Sequence, residues 1–213
     1  MNPDVCAKGE PPVALEKECQ SFHNRRVGQR AKDAERLGVP LFLSEFGACY
    51  NTPDCAMEIG LVADACDENL IGWGYWQFKT YWDITTSAGT KSEGFYGDDG
   101  TLQEYKLNAL SRSYISYAQG IITKMQYDRV TFSFKATFVL DTAIQAPTVL
   151  FKTINRADSA TFVPQIFIGG QQVPFEQAFQ KVEMDGNYIS FQAIEDKYNG
   201  QEVTIYCPVM ASQ

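Results

Sequence analysis

The sequence places one carboxylate and one indole at the ends of two apolar runs. Glu45 closes the run that starts at residues 41–43, and Trp76 closes the run over residues 70–76. If the two runs are neighbouring strands of an α/β barrel, their carboxyl ends lie on one rim, where the reactive groups of such barrels stand. A carboxylate can attack the anomeric carbon of a sugar, and an indole can stack on the C–H face of its ring. The two residues therefore indicate a sugar-cleaving site.

A structural role for Glu45 is the alternative. A glutamate after a strand often caps the following turn or pairs with a basic side chain, and Arg25 and Lys79 are candidates for such a pair. His23, the only histidine, falls on an early predicted helix, and the sequence offers no partner that would orient it as a general base. We therefore predict a structural role for His23, and packing rather than sugar contact for Trp73.

The first part of the chain alternates between helical and strand patterns. Apolar residues at helical spacing precede Gly38, a typical helix stop, and residues 39–44 then form a short apolar run typical of a strand buried on both faces. Thr52-Pro53 is typical of a helix start, and residues 70–76 form a second apolar run. This order predicts a strand–helix–strand crossover with parallel strands. A further helix is predicted over residues 102–117.

Beyond Gly120 the pattern changes to strict alternation of apolar and polar residues, as in residues 130–138. Gly169-Gly170, Asp185-Gly186 and Asn199-Gly200 separate further β-rich runs and predict hairpins. We therefore divide the chain into an α/β domain over residues 1–120 and an antiparallel β-sandwich over residues 121–213. Two strands and three helices cannot close a parallel sheet, so the α/β domain is predicted to be incomplete.

Composition excludes several classes of partner. The 213 residues carry a net charge of −8 and no run of Lys or Arg, which argues against nucleic acid or an anionic membrane surface. No stretch reaches the roughly 18 apolar residues of a membrane span, and residues 1–20 lack the apolar centre of a signal peptide. Six cysteines without a CxxC pair or a histidine cluster do not predict zinc, while Cys49 and Cys55 are close enough in sequence to bridge.

Two segments resemble a known family. Residues 41–85, LFLSEFGACYNTPDCAMEIGLVADACDENLIGWGYWQFKTYWDIT, resemble the closing part of the family 5 glycoside hydrolases, and within them the endoglycoceramidases and glucosylceramidases. These enzymes are similar in their Ser/Thr-Glu-Phe-Gly nucleophile strand and their final Gly-Trp-x-Trp/Tyr-Trp strand. Residues 95–120, FYGDDGTLQEYKLNALSRSYISYAQG, resemble the family's last helix, which leads into a C-terminal β-sandwich. The fold implied is the last two strand–helix units of a (β/α)8 barrel followed by that sandwich.

The resemblance implies a retaining mechanism without metal or cofactor. Glu45 matches the nucleophile and would attack the glucose attached to ceramide, while a second glutamate would serve as acid and base. Trp76 matches the floor of the sugar site, and Gln77 and Lys79 follow it closely enough to reach sugar hydroxyls. The substrate implied is a glycolipid or an oligosaccharide, which leaves peripheral contact with a lipid surface open. Secretion or a lysosomal location is implied only if the full-length protein carries a signal peptide.

The chain departs from the family pattern in two respects. It does not contain enough sequence for the first six strands of the barrel. It has no Asn-Glu-Pro motif, which carries the family's acid/base glutamate, and Glu58, Glu68, Glu93 and Glu104 fall on predicted helices or loops. We therefore expect a C-terminal portion of the enzyme that is inactive alone. Two rival interpretations remain: a non-catalytic module that binds sugar or lipid, and a β-glucanase of the same family.

Overall fold

The computed structural model describes residues 5–7, 9–47, 49–78, 94–97, 99–153 and 164–208. The chain forms two compact units, Met1–Leu110 and Ser111–Gln213. The first unit is mixed helix and parallel strand, and the second consists of antiparallel sheets. Each unit has its own clusters of buried apolar residues.

The first unit follows the predicted order of elements. A short 3₁₀ turn, Val13–Leu15, leads into α1 (Glu16–Leu37), β1 (Phe42–Gly47), α2 (Pro53–Glu68), β2 (Gly72–Trp76) and α3 (Glu104–Leu110). Gly38 ends α1 in the left-handed conformation with φ 66°, where its N–H donates to the carbonyls of the last turn. Thr52 caps α2 by accepting a hydrogen bond from the Cys55 N–H at 3.1 Å. Both predicted helix boundaries are confirmed.

The predicted parallel pairing of the two strands is also confirmed, because β1 and β2 form a two-stranded parallel sheet. The expectation that the first strand is buried on both faces is wrong. Phe42 is 61% exposed and Trp76 is 36% exposed. Among the described helices, α2 contacts this sheet, and Ala109 of α3 belongs to the cluster against which Phe46 and Tyr75 pack, so one face of the sheet is covered. The opposite face, which carries Phe42 and Trp76, is exposed.

The predicted helix over residues 102–117 is wrong in its second half. The helix α3 ends at Leu110, and Tyr114–Tyr117 forms the strand β3. Ile115 lies in the buried core of the second unit, where β3 pairs antiparallel with Thr148–Phe151. Pairing with a distant strand therefore overrides the helical spacing of the aromatic residues.

The second unit contains two antiparallel sheets. In spatial order the first holds β3 (Tyr114–Tyr117), β6 (Thr148–Phe151), β10 (Tyr188–Ala193) and β9 (Phe179–Asp185). The second holds β4 (Gly120–Tyr127), β5 (Phe134–Leu140), β11 (Glu202–Cys207), β7 (Gln165–Ile168) and β8 (Gln171–Val173). A short helix α4 (Phe175–Ala178) and a 3₁₀ turn (Asp196–Tyr198) complete the unit.

Both sheets of the second unit contribute to a single buried cluster. Phe134 and Phe138 from one sheet and Phe179 and Phe191 from the other are each at most 1% exposed. The hairpins predicted at Gly169-Gly170 and Asp185-Gly186 are present, with both turns using glycine at positive φ. The third predicted hairpin is wrong: Asn199-Gly200 connects β10 to β11, which belong to different sheets.

Candidate functional site

Glu45 lies in a β-bulge near the carboxyl end of β1. Leu43 is the register partner of Trp73 and Phe46 is the partner of Tyr75, which leaves Ser44 and Glu45 together opposite Gly74. A bulge of this kind places two residues against one, bends the strand and redirects the side chains next to it. The local geometry of Glu45 is therefore set by the one extra residue in β1.

Contacts between aromatic rings show which side chains of β1 and β2 point to the covered face of the sheet. Phe46 contacts Trp73 and Tyr75 edge to face, with ring centroids 5.6 and 5.7 Å apart, and it packs with Tyr75 against the cluster that includes α2. Since successive residues of a strand point to opposite faces, Trp76 points away from this layer. Glu45 precedes Phe46 and shares the bulge opposite Gly74, so it too faces the open side.

Two glycines on β2 leave the open face of the sheet without side chains at these positions. A Cβ atom at Gly72 would lie 3.0 Å from Cδ2 of Phe42, so the Phe42 ring covers this position. A Cβ atom at Gly74 would lie 3.2 Å from the Ser44 carbonyl oxygen, which allows β1 to approach closely at the bulge. Trp76 follows these two glycines on the same face. The open face therefore presents Phe42, Glu45 and Trp76 around a glycine floor.

The ion pair proposed as the alternative role of Glu45 does not form with Arg25. The guanidinium of Arg25 lies over the ring of Phe22 at 5.9 Å instead. Within the described residues, the side chain of Glu45 is exposed and takes part in neither ion pair, these being His23–Glu58 and Arg30–Asp33. The carboxylate is thus open to a ligand from the uncovered side of the sheet.

Gln77 and Phe78 follow β2 directly. Gln77 is half-buried next to Trp76, and the peptide bond between them is cis. Phe78 is 63% exposed and contacts the rings of Phe95 and Tyr96 at 5.9 Å each. Lys79, the fourth predicted site residue, lies outside the described residues. The parallel pairing of β1 and β2 brings the positions of Glu45, Trp76 and Gln77 to one end of the sheet.

The loop that follows β1, residues 49–52, is held by several contacts. Cys49 and Cys55 form a disulfide, as their spacing allowed. Both carboxylate oxygens of Glu10 accept hydrogen bonds from this loop, one from the Tyr50 N–H and one from the Thr52 hydroxyl at 2.7 Å. Asn51 accepts from the Tyr105 N–H at 3.2 Å. Glu10 has no local signal in the sequence, because its partners lie 40 residues or more along the chain.

His23 has the partner that the sequence did not reveal. Its Nε2 lies 2.7 Å from Oε1 of Glu58, and the two side chains are 8% and 14% exposed. The other carboxylate oxygen, Oε2, is buried without a hydrogen-bond partner among the described residues. The pair joins α1 to α2 on the helix side of the sheet, which agrees with the predicted structural role of His23.

Two cavities adjoin these elements. One, of about 720 Å³, lies between α1 and β1 and is bordered by Leu43, Glu45 and Phe46 of the strand. The other, of about 780 Å³, is bordered by Glu10, His23, Glu58 and Gly47.

Glu68 and Glu104 are exposed, at the end of α2 and the start of α3, and Glu93 lies outside the described residues.

In the part of the chain that the structure describes, no group of three His, Cys, Asp or Glu side chains could hold a metal ion. None of the described helices is both long enough and apolar enough to cross a bilayer.

Comparison with known proteins gives one sequence relative and several structural ones. No established protein-family model matches the chain. An endoglycoceramidase of Cyanea nozakii is 25% identical over 111 residues, which is 52% of this chain and 22% of that protein. The chain therefore spans about a fifth of the length of this curated relative.

The solved structures show the fold alone. Endo-glycoceramidase II from Rhodococcus sp., as its lactosyl-enzyme intermediate, has a TM-score of 0.61 at 21% identity, covering 90% of this chain and 38% of that one. The ganglioside GM3 complex of the same protein has a TM-score of 0.65 at 20% identity and covers 98% of this chain and 41% of that one. Sterylglucosidase 1 from Cryptococcus neoformans has a TM-score of 0.66 at 12% identity, covering 92% and 33%.

Proposed function

We propose that this chain is the C-terminal portion of a retaining glycoside hydrolase of endoglycoceramidase type. Met1–Leu110 supplies the last two strand–helix units of a barrel, and Ser111–Gln213 supplies a C-terminal β-sandwich that begins ten residues earlier than the sequence predicted. The observation that carries the proposal is the position of Glu45, in a bulge at the carboxyl end of β1 and on the same open face as Trp76 of β2. The likeness to proteins described as endoglycoceramidases supports the substrate class.

In the proposed reaction Glu45 is the nucleophile. A carboxylate oxygen attacks the anomeric carbon, the bond from that carbon to the aglycone oxygen breaks, and a second carboxylic acid protonates the departing oxygen. The same second group then takes a proton from water, which attacks the anomeric carbon and releases Glu45. We assign this acid/base to a part of the enzyme outside residues 1–213, at the ~5 Å from Glu45 that retention requires.

The substrate contacts follow from the open face. Trp76 stacks on the C–H face of the sugar bound to Glu45, since its indole is 36% exposed beside the glycine floor. Gln77 and Lys79 donate hydrogen bonds to sugar hydroxyls. The aglycone is ceramide, so the substrate is a glycosphingolipid whose lipid tail contacts a membrane or micelle surface.

A labelling experiment tests the role of Glu45 as nucleophile, and its reagent needs no acid to protonate the leaving group. A 2-deoxy-2-fluoro-β-lactosyl fluoride carries its own good leaving group, so attack by the nucleophile leaves a stable sugar ester. We would incubate the chain alone, and the chain co-expressed with the remaining part of endo-glycoceramidase II, and map the adduct by mass spectrometry. The proposal expects an adduct on Glu45 in the co-expressed sample and no turnover of glycolipid by the chain alone.

Matched variants make the result specific. Glu45→Gln should abolish the adduct, whereas Glu68→Gln, which changes an exposed glutamate on α2, should keep it. An adduct on another carboxylate, or equal labelling of Glu45→Gln, would overturn the assignment. Faster labelling by a cellobiosyl than by a lactosyl reagent, with no release of ceramide from lactosylceramide, would favour the β-glucanase alternative.

A second candidate function rests on an aromatic row in the second unit. The ring of Phe151 stacks on Tyr114 at 4.9 Å and contacts Tyr188 at 5.1 Å, across three neighbouring strands. Tyr114 and Tyr188 are 37% and 44% exposed. Such a row could bind sugar without catalysis. Isothermal titration of the chain with lactose and with lactosylceramide micelles tests it, because Tyr188→Ala should remove binding that Glu45→Gln leaves intact.

A further inference from the structure

The segment before α1 is joined to the loop after β1 by two reciprocal carboxylate contacts. Glu10 accepts hydrogen bonds from the Tyr50 N–H and, at 2.7 Å, from the Thr52 hydroxyl. In return, Asp54 in the first turn of α2 accepts from the Val13 N–H at 2.9 Å. Each segment therefore has a carboxylate that accepts hydrogen bonds from the other segment, and these contacts hold the two segments in register.

Covalent links bracket these contacts on both sides. The Cys6–Cys19 disulfide ties the segment before α1 to the first turns of α1, and the Cys49–Cys55 disulfide ties the loop to α2. Both bridges are buried. The hydrogen bonds of Glu10 therefore join two segments that are each anchored by a disulfide.

The loop that Glu10 holds begins close to the proposed nucleophile. Tyr50 is five residues after Glu45, and Thr52 is the N-cap of α2. The Thr52 hydroxyl donates to Glu10 while accepting from the Cys55 N–H, so the carboxylate also fixes the orientation of the cap. A negative charge at this end of α2 is favoured by the helix dipole.

We propose that Glu10 is a positioning residue for Glu45. It holds residues 50–52, which anchors the carboxyl end of β1 and keeps the bulge at residues 44–45 in the geometry that directs Glu45 to the open face. A reacting carboxylate must be held to within about 0.5 Å of its productive position, so a loosened anchor lowers the rate without removing the site. This inference rests on the proposed function and names a further residue for the same reaction.

The choice of glutamate follows from the donors it faces. A carboxylate has acceptor capacity on both oxygens, whereas glutamine has one acceptor oxygen and an NH₂ donor. Glu10→Gln can keep the hydrogen bond to the Tyr50 N–H, and its NH₂ can donate to Thr52 only if that hydroxyl turns. Glu10→Ala loses both contacts. The two variants therefore predict a graded effect, with glutamine between wild type and alanine.

The test uses the 213-residue chain and two measurements. Hydrogen–deuterium exchange should show the Tyr50 amide exchanging at least about tenfold faster in Glu10→Ala, while amides of the second unit stay unchanged. In the co-expressed sample, the labelling rate of Glu45 at saturating reagent should fall by about tenfold or more, with little change in the half-saturating concentration. Glu35→Gln, an exposed glutamate at the far end of α1, is the matched control and should change neither readout.

The outcomes separate this inference from the proposed function. Unchanged exchange at Tyr50, or faster exchange with an unchanged labelling rate, would overturn the positioning role. If wild type acquires no label, the proposed function fails, and the backbone amide NMR signals of Glu45 and Phe46 decide the inference instead. Their displacement in Glu10→Ala, absent in Glu35→Gln, would support the positioning of residue 45, and unmoved signals would overturn it.

Discussion

Gly47 faces Trp76 across the β1–β2 pair, so closely that no larger residue fits between the strands. The two residues are register partners, and a Cβ atom at Gly47 would lie 2.6 Å from the Trp76 carbonyl oxygen and would overlap the Tyr75 ring. Gly47 also has φ 134°, a conformation that other residues rarely adopt. This glycine sets the distance between the strand of Glu45 and the strand of Trp76.

Gly47→Ala is therefore expected to destabilise the first unit by more than about 2 kcal/mol, because it combines steric overlap with backbone strain. All three tryptophans lie in Met1–Leu110, so urea unfolding followed by tryptophan fluorescence reports this unit. Gly38→Ala is the control: it has φ 66° but open space around it, and should cost about 1 kcal/mol. Equal midpoints for both variants would contradict the overlap at Gly47.

Reduction of the disulfides should weaken the first unit selectively. Both bridges, Cys6–Cys19 and Cys49–Cys55, lie in this unit and close loops of 13 and 6 residues. Each is expected to contribute about 2–3 kcal/mol by restricting the unfolded chain. Urea unfolding followed by tryptophan fluorescence, measured with and without reductant, tests this. The midpoint should lie at a lower urea concentration when reductant is present. An equal shift in the far-UV circular dichroism transition of the second unit would contradict the assignment.

The buried pair of His23 and Glu58 predicts a non-additive response. His23→Leu leaves the Glu58 carboxylate buried without its partner, and should cost about 3 kcal/mol or more. The double variant His23→Leu/Glu58→Leu removes both polar groups and should recover most of that loss. A double-mutant cycle by urea unfolding measures the coupling. Additive losses would show that the two side chains do not interact.

The Cys207 thiol predicts an alkaline loss of stability in the second unit. Burial raises its pKa from 9.0 to about 12, and the charge of Lys152 offsets part of this rise. Between these pH values the folded state keeps a proton that the unfolded state has lost, so stability falls as pH rises, by up to about 1.4 kcal/mol per pH unit. Cys207→Ala should lose this part of the slope, measured by urea unfolding between pH 8.5 and 10.5. Identical slopes would refute it.

Local signals in the sequence predicted the first unit well. Gly38 and Thr52-Pro53 mark helix ends because their chemistry acts within a few residues, and the apolar runs around them predicted the parallel crossover. The segment Tyr114–Tyr117 was predicted as helix and forms the strand β3 instead, since its aromatic spacing fits either element and pairing with β6 decides the outcome. The exposure of β1 could not be predicted, because it depends on which layers cover the sheet.

Contacts between residues far apart in the sequence could not be predicted from it. The partner of His23 is 35 residues away on another helix, and the contacts of Glu10 span 40 residues or more. No spacing rule links such positions, because only the packing of α1 on α2 brings them together. The prominence of Glu45 and Trp76, by contrast, came from each residue breaking or ending its own apolar run.

The outer edge of β1 has a practical consequence for handling the protein. Within the described residues β1 is paired on one side only, so its other side displays a row of backbone donors and acceptors next to the exposed Phe42. An edge of this kind recruits a strand from any extended chain, including other copies in a concentrated solution. Dilute conditions during purification are therefore expected to limit pairing between copies at this edge.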